Sequence, residues 1–348
     1  MGGSKRIFIS DIHLGPPDNP SNWYKKEKHE QNLLAALQDV RDRSDEIKDL
    51  VFLGDLVDTW VCPVDEQPVE PGAVLEHHSN IVEGIRACLG EVENVFYLNG
   101  NHDMHVTQEV LDEFFDTGDG DTVEKINQYN AGPLYAEHGH RFAMFNARDK
   151  RHDTLDGLPV GYFICRMLSS TDKEYDSPSA FLSYVDDILE AAFTSSELVQ
   201  SVVEAQMELA GLEPDDEFKM PDGRRDITVA DVAEKYEPLY DRWVQKHGHW
   251  FALHSVRAEL GSLGWFADRL SKRHDYKVVV LGHTHDSQLD EDLVVFDEDR
   301  IYANSGYWCT DEPTMVEVDK RPDGQQDVRL WKFRDGEPLD DPFRSETV

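Results

Sequence analysis

Five times along this chain an apolar run stops at a short cluster of Asp, His or Asn. In order the clusters read Asp11-Ile12-His13, Gly54-Asp55-Leu56-Val57-Asp58, Gly100-Asn101-His102-Asp103, Glu137-His138-Gly139-His140 and Gly282-His283-Thr284-His285. The runs ahead of the first three, over Arg6 to Ser10, Leu50 to Leu53 and Asn94 to Leu98, have the length and the β-branched and aromatic content of buried strands. Helical periodicity falls between them, over Trp23 to Ser44 and Ala73 to Leu89, and the resulting β-α-β-α-β order implies parallel strands in one sheet covered by helices. Side chains just past the carboxyl ends of such strands converge on one crevice. Asp11, Asp55 and Asn101 are therefore expected together, although about 90 residues separate the first from the last.

The pattern changes beyond Asp121. Leu134 to Glu137 and Arg141 to Phe145 read as short strands around a glycine turn. From Arg148 to Asp275 the chain is helical in pattern, with candidate helices over Ala180 to Leu209, Ile227 to Lys246 and Trp250 to Arg273. Strands resume at Lys277 to Leu281 and continue through Leu293 to Phe296, Arg300 to Ala303, Thr314 to Val318 and Val328 to Phe333. Four clusters precede the helical segment and one follows it. The expected organisation is a core in two parts, 1–147 and 276–348, with a helical cap over the site inserted at 148–275.

Carboxylate, imidazole and amide-oxygen donors suit divalent ions such as Mn, Fe or Zn. Asp11 and His13 are two apart, as are His283 and His285, and in an extended segment such pairs point the same way. Asp55 is the candidate for a carboxylate shared by two ions, Asn101 offers a neutral oxygen, and His138 opens a turn. Each motif alone is weak, since Asp-x-His is usually a surface loop and Gly-Asn-His-Asp can be a tight turn. Their joint order carries the inference. A site holding two ions about 3.5–4 Å apart points to hydrolysis at phosphorus.

Composition limits the alternatives. Acids outnumber Lys plus Arg by 70 to 34, a formal charge of −36, which disfavours a nucleic-acid footprint. The acids are spread along the chain, as expected of a protein kept soluble in a salty cytoplasm. Hydrophobic residues at 39% suffice for a large core. Cys62, Cys88, Cys165 and Cys309 lie far apart, the pattern of reduced thiols. Neither a cleavable leader nor a run of about 18 apolar residues is present, and the expected location is cytoplasmic, without a membrane span.

The five motifs together resemble those of the calcineurin-like metallophosphoesterases, whose pattern is Asp-x-His, Gly-Asp-x-x-Asp, Gly-Asn-His-Asp, His before Gly, and Gly-His-x-His. The resemblance implies an α/β fold, a four-layer αββα sandwich with the site at one edge and a helical cap insertion. It implies two divalent ions, most simply Mn, with Fe or Zn as alternatives. Asp11, His13, Asp55 and His285 would hold the first, and Asp55, Asn101, His138 and His283 the second. It makes His102 the catalytic histidine, oriented by Asp103, and the nucleophile a hydroxide bridging the ions.

Around that set, Asp58 is expected to hydrogen-bond a ligand histidine; His140 is the alternative ligand to His138, or else contacts substrate or packs, with His254 a weaker rival, and Asn304 either supports a ligand or forms a structural turn. Arg148 and Arg151, in the one basic knot of an acidic chain, are candidates for phosphate recognition. Phe163, Trp250, Phe251, Trp265 and Phe266 are either slot-lining or core aromatics, and His77-His78 are placed on a surface or in the cap. The capped layout is also similar to pyrophosphatases that cleave UDP-2,3-diacylglucosamine, which carry Arg at the position of His102. The expected function is therefore hydrolysis of a phosphorylated small molecule, a phosphodiester or phosphomonoester. A nucleotide-sugar pyrophosphatase, a nuclease of the same superfamily and a non-catalytic metal-binding scaffold are the alternatives.

Overall fold

The computed structural model describes residues 3–17, 19–118, 120–148, 155–171, 198–221, 225–261, 263–290 and 300–348. Among them, two sheets stack face to face with helices on both outer sides. The larger sheet holds β1 (Lys5–Ile9), β2 (Ile47–Leu53), β3 (Asn94–Leu98) and β4 (Glu124–Lys125) as parallel neighbours. Antiparallel to β1 runs β12 (Thr314–Lys320), then β13 (Gln326–Arg334), on which β14 (Glu337–Pro338) and β15 (Arg344–Thr347) pair. The second sheet has the order β10 (Gln288–Asp290), β11 (Ile301–Asn304), β9 (Val278–Leu281), β6 (Leu134–Ala136), β5 (Tyr129–Ala131), with β11, β9 and β6 parallel.

Alternation along the strands builds the layers. Ile7 and Ile9 of β1, Leu50 and Phe52 of β2, and Val95 and Tyr97 of β3 face α1 (Lys26–Asp42), whose Leu33, Ala36, Leu37 and Val40 recur at helical spacing. The opposite faces, with Phe8, Val51, Leu53 and Leu98, meet Leu134, Val278, Val280 and Ile301 of the second sheet. Beyond that sheet, Tyr135, Val279, Leu281 and Tyr302 pack on Leu263, Phe266 and Ala267. The order of layers is thus αββα, the architecture expected.

Several local expectations are corrected. The segment from Ala73 to Leu89 is two helices, α2 (Pro71–His77) and α3 (Ser79–Arg86). They divide at His78, which is buried and not on a surface, its ring bonded to the Gly15 carbonyl at 2.9 Å. Arg141 to Phe145 is not a strand. After Gly139 (φ 106°) the chain turns through a short 3-10 helix at His140–Phe142, with Arg141 ion-paired back to Glu137. α4 (Gln108–Phe115) follows the third cluster, capped by Thr107.

The helical insertion begins with α5 (Val160–Ser169) and α6 (Leu198–Ala210). The first part of the expected Ala180 to Leu209 helix and the expected strand at Leu293 to Phe296 lie outside the described residues. A two-stranded ribbon, β7 (Glu217–Phe218) with β8 (Ile227–Thr228), leads into α7 (Val229–Tyr236), whose start carries a reciprocal capping box between Thr228 and Asp231. The expected Ile227 to Lys246 helix divides before α8 (Leu239–His247) at Pro238, which has no N–H to continue the ladder. The expected Trp250 to Arg273 helix likewise divides into α9 (His249–Arg257) and α10 (Gly264–His274) around Gly261, at φ 100°. α10 packs on the outer face of the second sheet. The insertion has its own apolar cluster, centred on Phe163, Val202, Phe218, Val232 and Tyr236, which also takes in Trp60, Val61 and Val64 from the loop after β2. No described helix is long and apolar enough to cross a membrane.

Candidate metal centre

The carboxyl ends of β1, β2 and β3 and of β6, β9 and β11 all open on the same edge of the sandwich. The loops that leave them are stitched to one another through the backbone. Ile12 and His13 N–H both donate to the Asp55 carbonyl at 2.9 Å, Asp58 N–H donates to Leu14 O, and Gly282 N–H donates to His138 O. Asp11 (φ 54°), His13 (φ 54°), Asp55 (φ 53°), His283 (φ 72°) and His285 (φ 60°) all adopt left-handed backbone. That conformation is costly for residues with a Cβ and clusters at functional sites. Asp11 and His13 are therefore brought together by left-handed backbone and not by the extended geometry expected of their spacing, and the same backbone sends His283 and His285 to different donor groups.

Glycines permit this interlock. A Cβ on Gly54 (φ 93°) would lie 2.6 Å from His138 Nδ1, and one on Gly100 would lie 2.1 Å from Asp55 Oδ1. The Gly ahead of each of these motifs is thus where one loop passes against a side chain of the next.

The side chains form three overlapping groups: Asp11 with His13 and His285, Asp55 with His138 and His283, and His13 with Asp55 and His102. In each group the donor atoms all lie within 4.8 Å of one another. His285 Nε2 is 3.3 Å from Asp11 Oδ1 and 3.1 Å from His13 Nε2. His138 Nε2 is 3.1 Å from Asp55 Oδ2 and 3.2 Å from Asn101 Oδ1. Asp55 Oδ1 accepts from His102 N–H at 2.8 Å. Asp55 Oδ2 is buried between the groups, with the His138 ring beside it.

The residues behind these donors set their tautomers. His138 Nδ1–H donates to the Leu53 carbonyl at 2.9 Å, and His13 Nδ1–H donates to Asp58 Oδ2 at 3.1 Å, so both turn Nε2 to the centre. Asp58 also accepts from His102 Nδ1–H at 2.9 Å and from Trp60 N–H at 2.9 Å. Asp103, expected to orient His102, does not. Its carboxylate turns inward, to Gly100 N–H at 2.6 Å, Leu56 N–H at 3.0 Å and Tyr97 OH at 2.5 Å, and it braces the loop while Asp58 holds the imidazole. The reason is position, since Asp58 enters from the neighbouring strand's loop at the level of the ring. Asn304 donates to Gly282 O at 2.8 Å and Thr284 Oγ1 at 3.1 Å, fixing the loop that carries His283 and His285.

The electrostatics favour cations. Burial disfavours charge on Asp11, but His138 and His285 outweigh it and hold the carboxyl down at about 2. Burial likewise opposes ionisation of Asp55 and Asp58, and neighbouring histidines, His138 and His102 foremost, keep both carboxyls low. His13 and His283 are pushed down by burial and stay neutral, with lone pairs to offer. His138, although buried, is raised to about 10 by Asp55 and Asp11, the mark of a site that attracts positive charge. Burial pushes Asp103 up to about 7, with Asp55 adding to the effect.

Other expected site residues stand further off. Burial and His138 lower His140 to about 3, and its Nδ1 is buried without a partner among the described residues. Arg148 is exposed, its guanidinium donating to Gly157 O at 3.3 Å, and Arg151 lies outside the described residues. His254 stacks on Trp265 at 4.3 Å. Phe163 and Phe266 are core, and Trp250 is 71% exposed. The cleft beside the metal groups is walled instead by Trp23, Trp60, Phe145, Ile164, Leu168 and Val202.

His102 sits against Trp60, with ring centroids 4.3 Å apart, and T-shaped to His13. Asn146 and Glu259 also line the cleft, and Glu259 is raised to about 8 by burial against hydrogen bonds from Phe145 and Asn146. Sequence reading missed these two. Asn146 carries no motif, and Glu259 is one acid among many; only their contacts distinguish them.

A sequence profile of the calcineurin-like phosphoesterases matches residues 4–287. No curated protein sequence matches the chain significantly. Solved structures it is similar to include Vacuolar Protein Sorting 29 from Cryptosporidium parvum, at 10% identity and TM-score 0.35 over 100% of this chain and 98% of that one. A predicted phosphoesterase from Streptococcus pneumoniae TIGR4 aligns at 12% identity and TM-score 0.31 over 100% and 98%. Wild-type Vps29 complexed with Zn from Entamoeba histolytica aligns at 10% and 0.32 over 99% and 98%.

Proposed function

The chain belongs to the calcineurin-like phosphoesterase family, and from that premise we propose that it is a dinuclear metal-dependent hydrolase of phosphate esters. One observation carries the reading: two sets of imidazole and carboxylate donors, Asp11 with His13 and His285 and Asp55 with His138 and His283, lie side by side, both carboxylates buried and the donor atoms of each set within 4.8 Å of one another. Carboxylates buried this closely together are costly unless positive charge meets them. The donor set fits two divalent ions. Asp11, His13, Asp55 and His285 would hold one, and Asp55, Asn101, His138 and His283 the other. Mixed oxygen and nitrogen donors favour Mn, with Fe or Zn as alternatives. Such ions, when bound, activate water and neutralise charge on the phosphoryl oxygens.

The chain's own residues do the rest. Asp58 holds His13 and His102 in fixed tautomers. The buried His102 is raised by Asp58 and Asp55 against the effect of burial, so its Nε2 is suited to carry a proton. That proton would go to the oxygen of a departing alcohol too basic to leave unprotonated. Trp60 and Trp23 flank the His102 ring and keep it from bulk water. The cleft wall is apolar, without Lys or Arg among its described lining residues, which favours an ester whose alcohol is apolar over a nucleotide-sugar diphosphate. We further read the helical insertion as a cap, with Leu263 and α10 assigned to the core on their packing against the second sheet.

The test is a substrate panel. The protein is loaded with manganese at high salt and assayed on bis-p-nitrophenyl phosphate, p-nitrophenyl phosphate, a nucleotide-sugar diphosphate and single-stranded DNA. Turnover of a simple ester, abolished by chelation and restored by metal, is expected. Absence of bound manganese together with absence of turnover would sink the reading.

A further inference from the structure

The orientation of the Asn101 amide decides whether oxygen or NH2 faces the second donor set. Oxygen and NH2 of an asparagine are nearly isosteric, so only hydrogen-bond partners choose between them. Asn101 directs Oδ1 at His138 Nε2, and its Nδ2 donates to Asn146 Oδ1 at 3.1 Å. Asn146 has the same ambiguity, and its Nδ2 donates to Glu259 Oε2 at 2.6 Å. Glu259 Oε1 accepts from Phe145 N–H at 2.5 Å and the Asn146 backbone N–H also donates to this side chain, so donors face the Glu259 carboxyl and its oxygens act as acceptors here. The chain of donors and acceptors therefore has one direction, and it starts at Glu259. Asn146 has no room to swing away: a Cβ on Gly161, at the start of α5, would lie 2.6 Å from its Oδ1.

We propose that Glu259 is a positioning residue for the second cation site, acting through Asn146 to keep the Asn101 carbonyl oxygen turned to the ion. The proposal rests on the reading of Asn101 as a ligand. It ties the helical insertion to the metal centre, because Glu259 follows α9 while Asn101 and Asn146 belong to the chain before the insertion. Partners behind the ligands commonly set metal affinity by about 10–100-fold.

Reversing the relay's polarity tests this. In Glu259→Gln, the side chain must still accept from Phe145 N–H, so its NH2 faces Asn146. Asn146 then turns over, and Asn101 is driven to present NH2 where oxygen is needed. Adding Asn146→Asp restores an acceptor for both neighbours and hence the original direction. Manganese affinity is measured at each site in chelator-buffered titrations, with native mass spectrometry for stoichiometry.

The weaker site of Glu259→Gln should lose about 10–100-fold, and the double variant Glu259→Gln/Asn146→Asp should regain most of the loss. Packing damage alone would make the double variant worse than the single. Should Glu259→Gln not fold, as read from the melt of cation-free protein, Asn146→Leu serves in its place. It removes the acceptor for Asn101 and should show the same loss at one site. Wild-type affinity at both sites in the single variants, or no recovery in the double, overturns the proposal. A wild-type chain that takes up no manganese is a separate result, which overturns the proposed function and this inference with it.

Discussion

Core and cap bury charge in opposite ways. At the core's edge Asp11, Asp55 and Asp58 are buried with His13, His102 and His138, and Asp55 Oδ2 is left to the His138 ring, 3.1 Å away. In the cap, Arg166 of α5 is also fully buried, and its guanidinium is saturated. It donates to the carbonyls of Cys62 at 3.3 Å, Pro63 at 2.8 Å, Val64 at 3.2 Å, Glu66 at 2.6 Å and Lys219 at 2.8 Å. The contrast separates two uses of a buried ion. A carboxylate left to face other donor side chains, in strained backbone, is held ready for a ligand. A group whose donors are matched, mostly to the backbone, holds one segment to another.

The comparison breaks most visibly at Asp55. Asp55→Asn should remove both cations or nearly so and lower turnover by at least about 1000-fold. Metal analysis alongside a thermal melt checks it, and full occupancy in that variant would reject the shared-carboxylate assignment. His102→Ala comes next, with an expected loss of about 100–10,000-fold on substrates with alkyl leaving groups. The loss on p-nitrophenyl esters should be far smaller. Equal losses on both would argue against a proton-donating role.

Arg166→Met probes the other side of the contrast. It strands several carbonyls and should cost about 3–5 kcal/mol in stability, with manganese stoichiometry unchanged at temperatures where the chain is folded. Loss of metal without loss of stability would mean that the cap anchor and the metal centre are not separable in this way. Thr228→Ala, which removes the capping box of α7, should cost about 1 kcal/mol and leave turnover untouched. A larger effect on turnover than on the melt would show that the cap acts on the site through more than its attachment.

Legibility from sequence follows how local each interaction is. β1, β2, β3 and α1 were readable to within a few residues because alternation and helical spacing are properties of short windows. The helix breaks at His78 and Pro238 were not read: His78 answers to the Gly15 carbonyl, and the Pro238 signal was outweighed by the periodicity around it. α10 carries the same amphipathic pattern as the cap helices, and only the exposed face of the second sheet made it a core element. At the site, the residue types could be read but their backbone could not, since no periodicity announces left-handed Asp11 or His283.

By itself the sequence determined which donors this protein owns, and that they come at the ends of strands, because strand order and motif spacing are covalent facts. Tertiary structure decided which donor answers to which. Asp58 rather than Asp103 holds His102, and Glu259, far along the chain, reaches Asn101 through Asn146. A hydrogen bond depends on tenths of an ångström between segments, and that distance is set only when the layers and the cap have closed on one another.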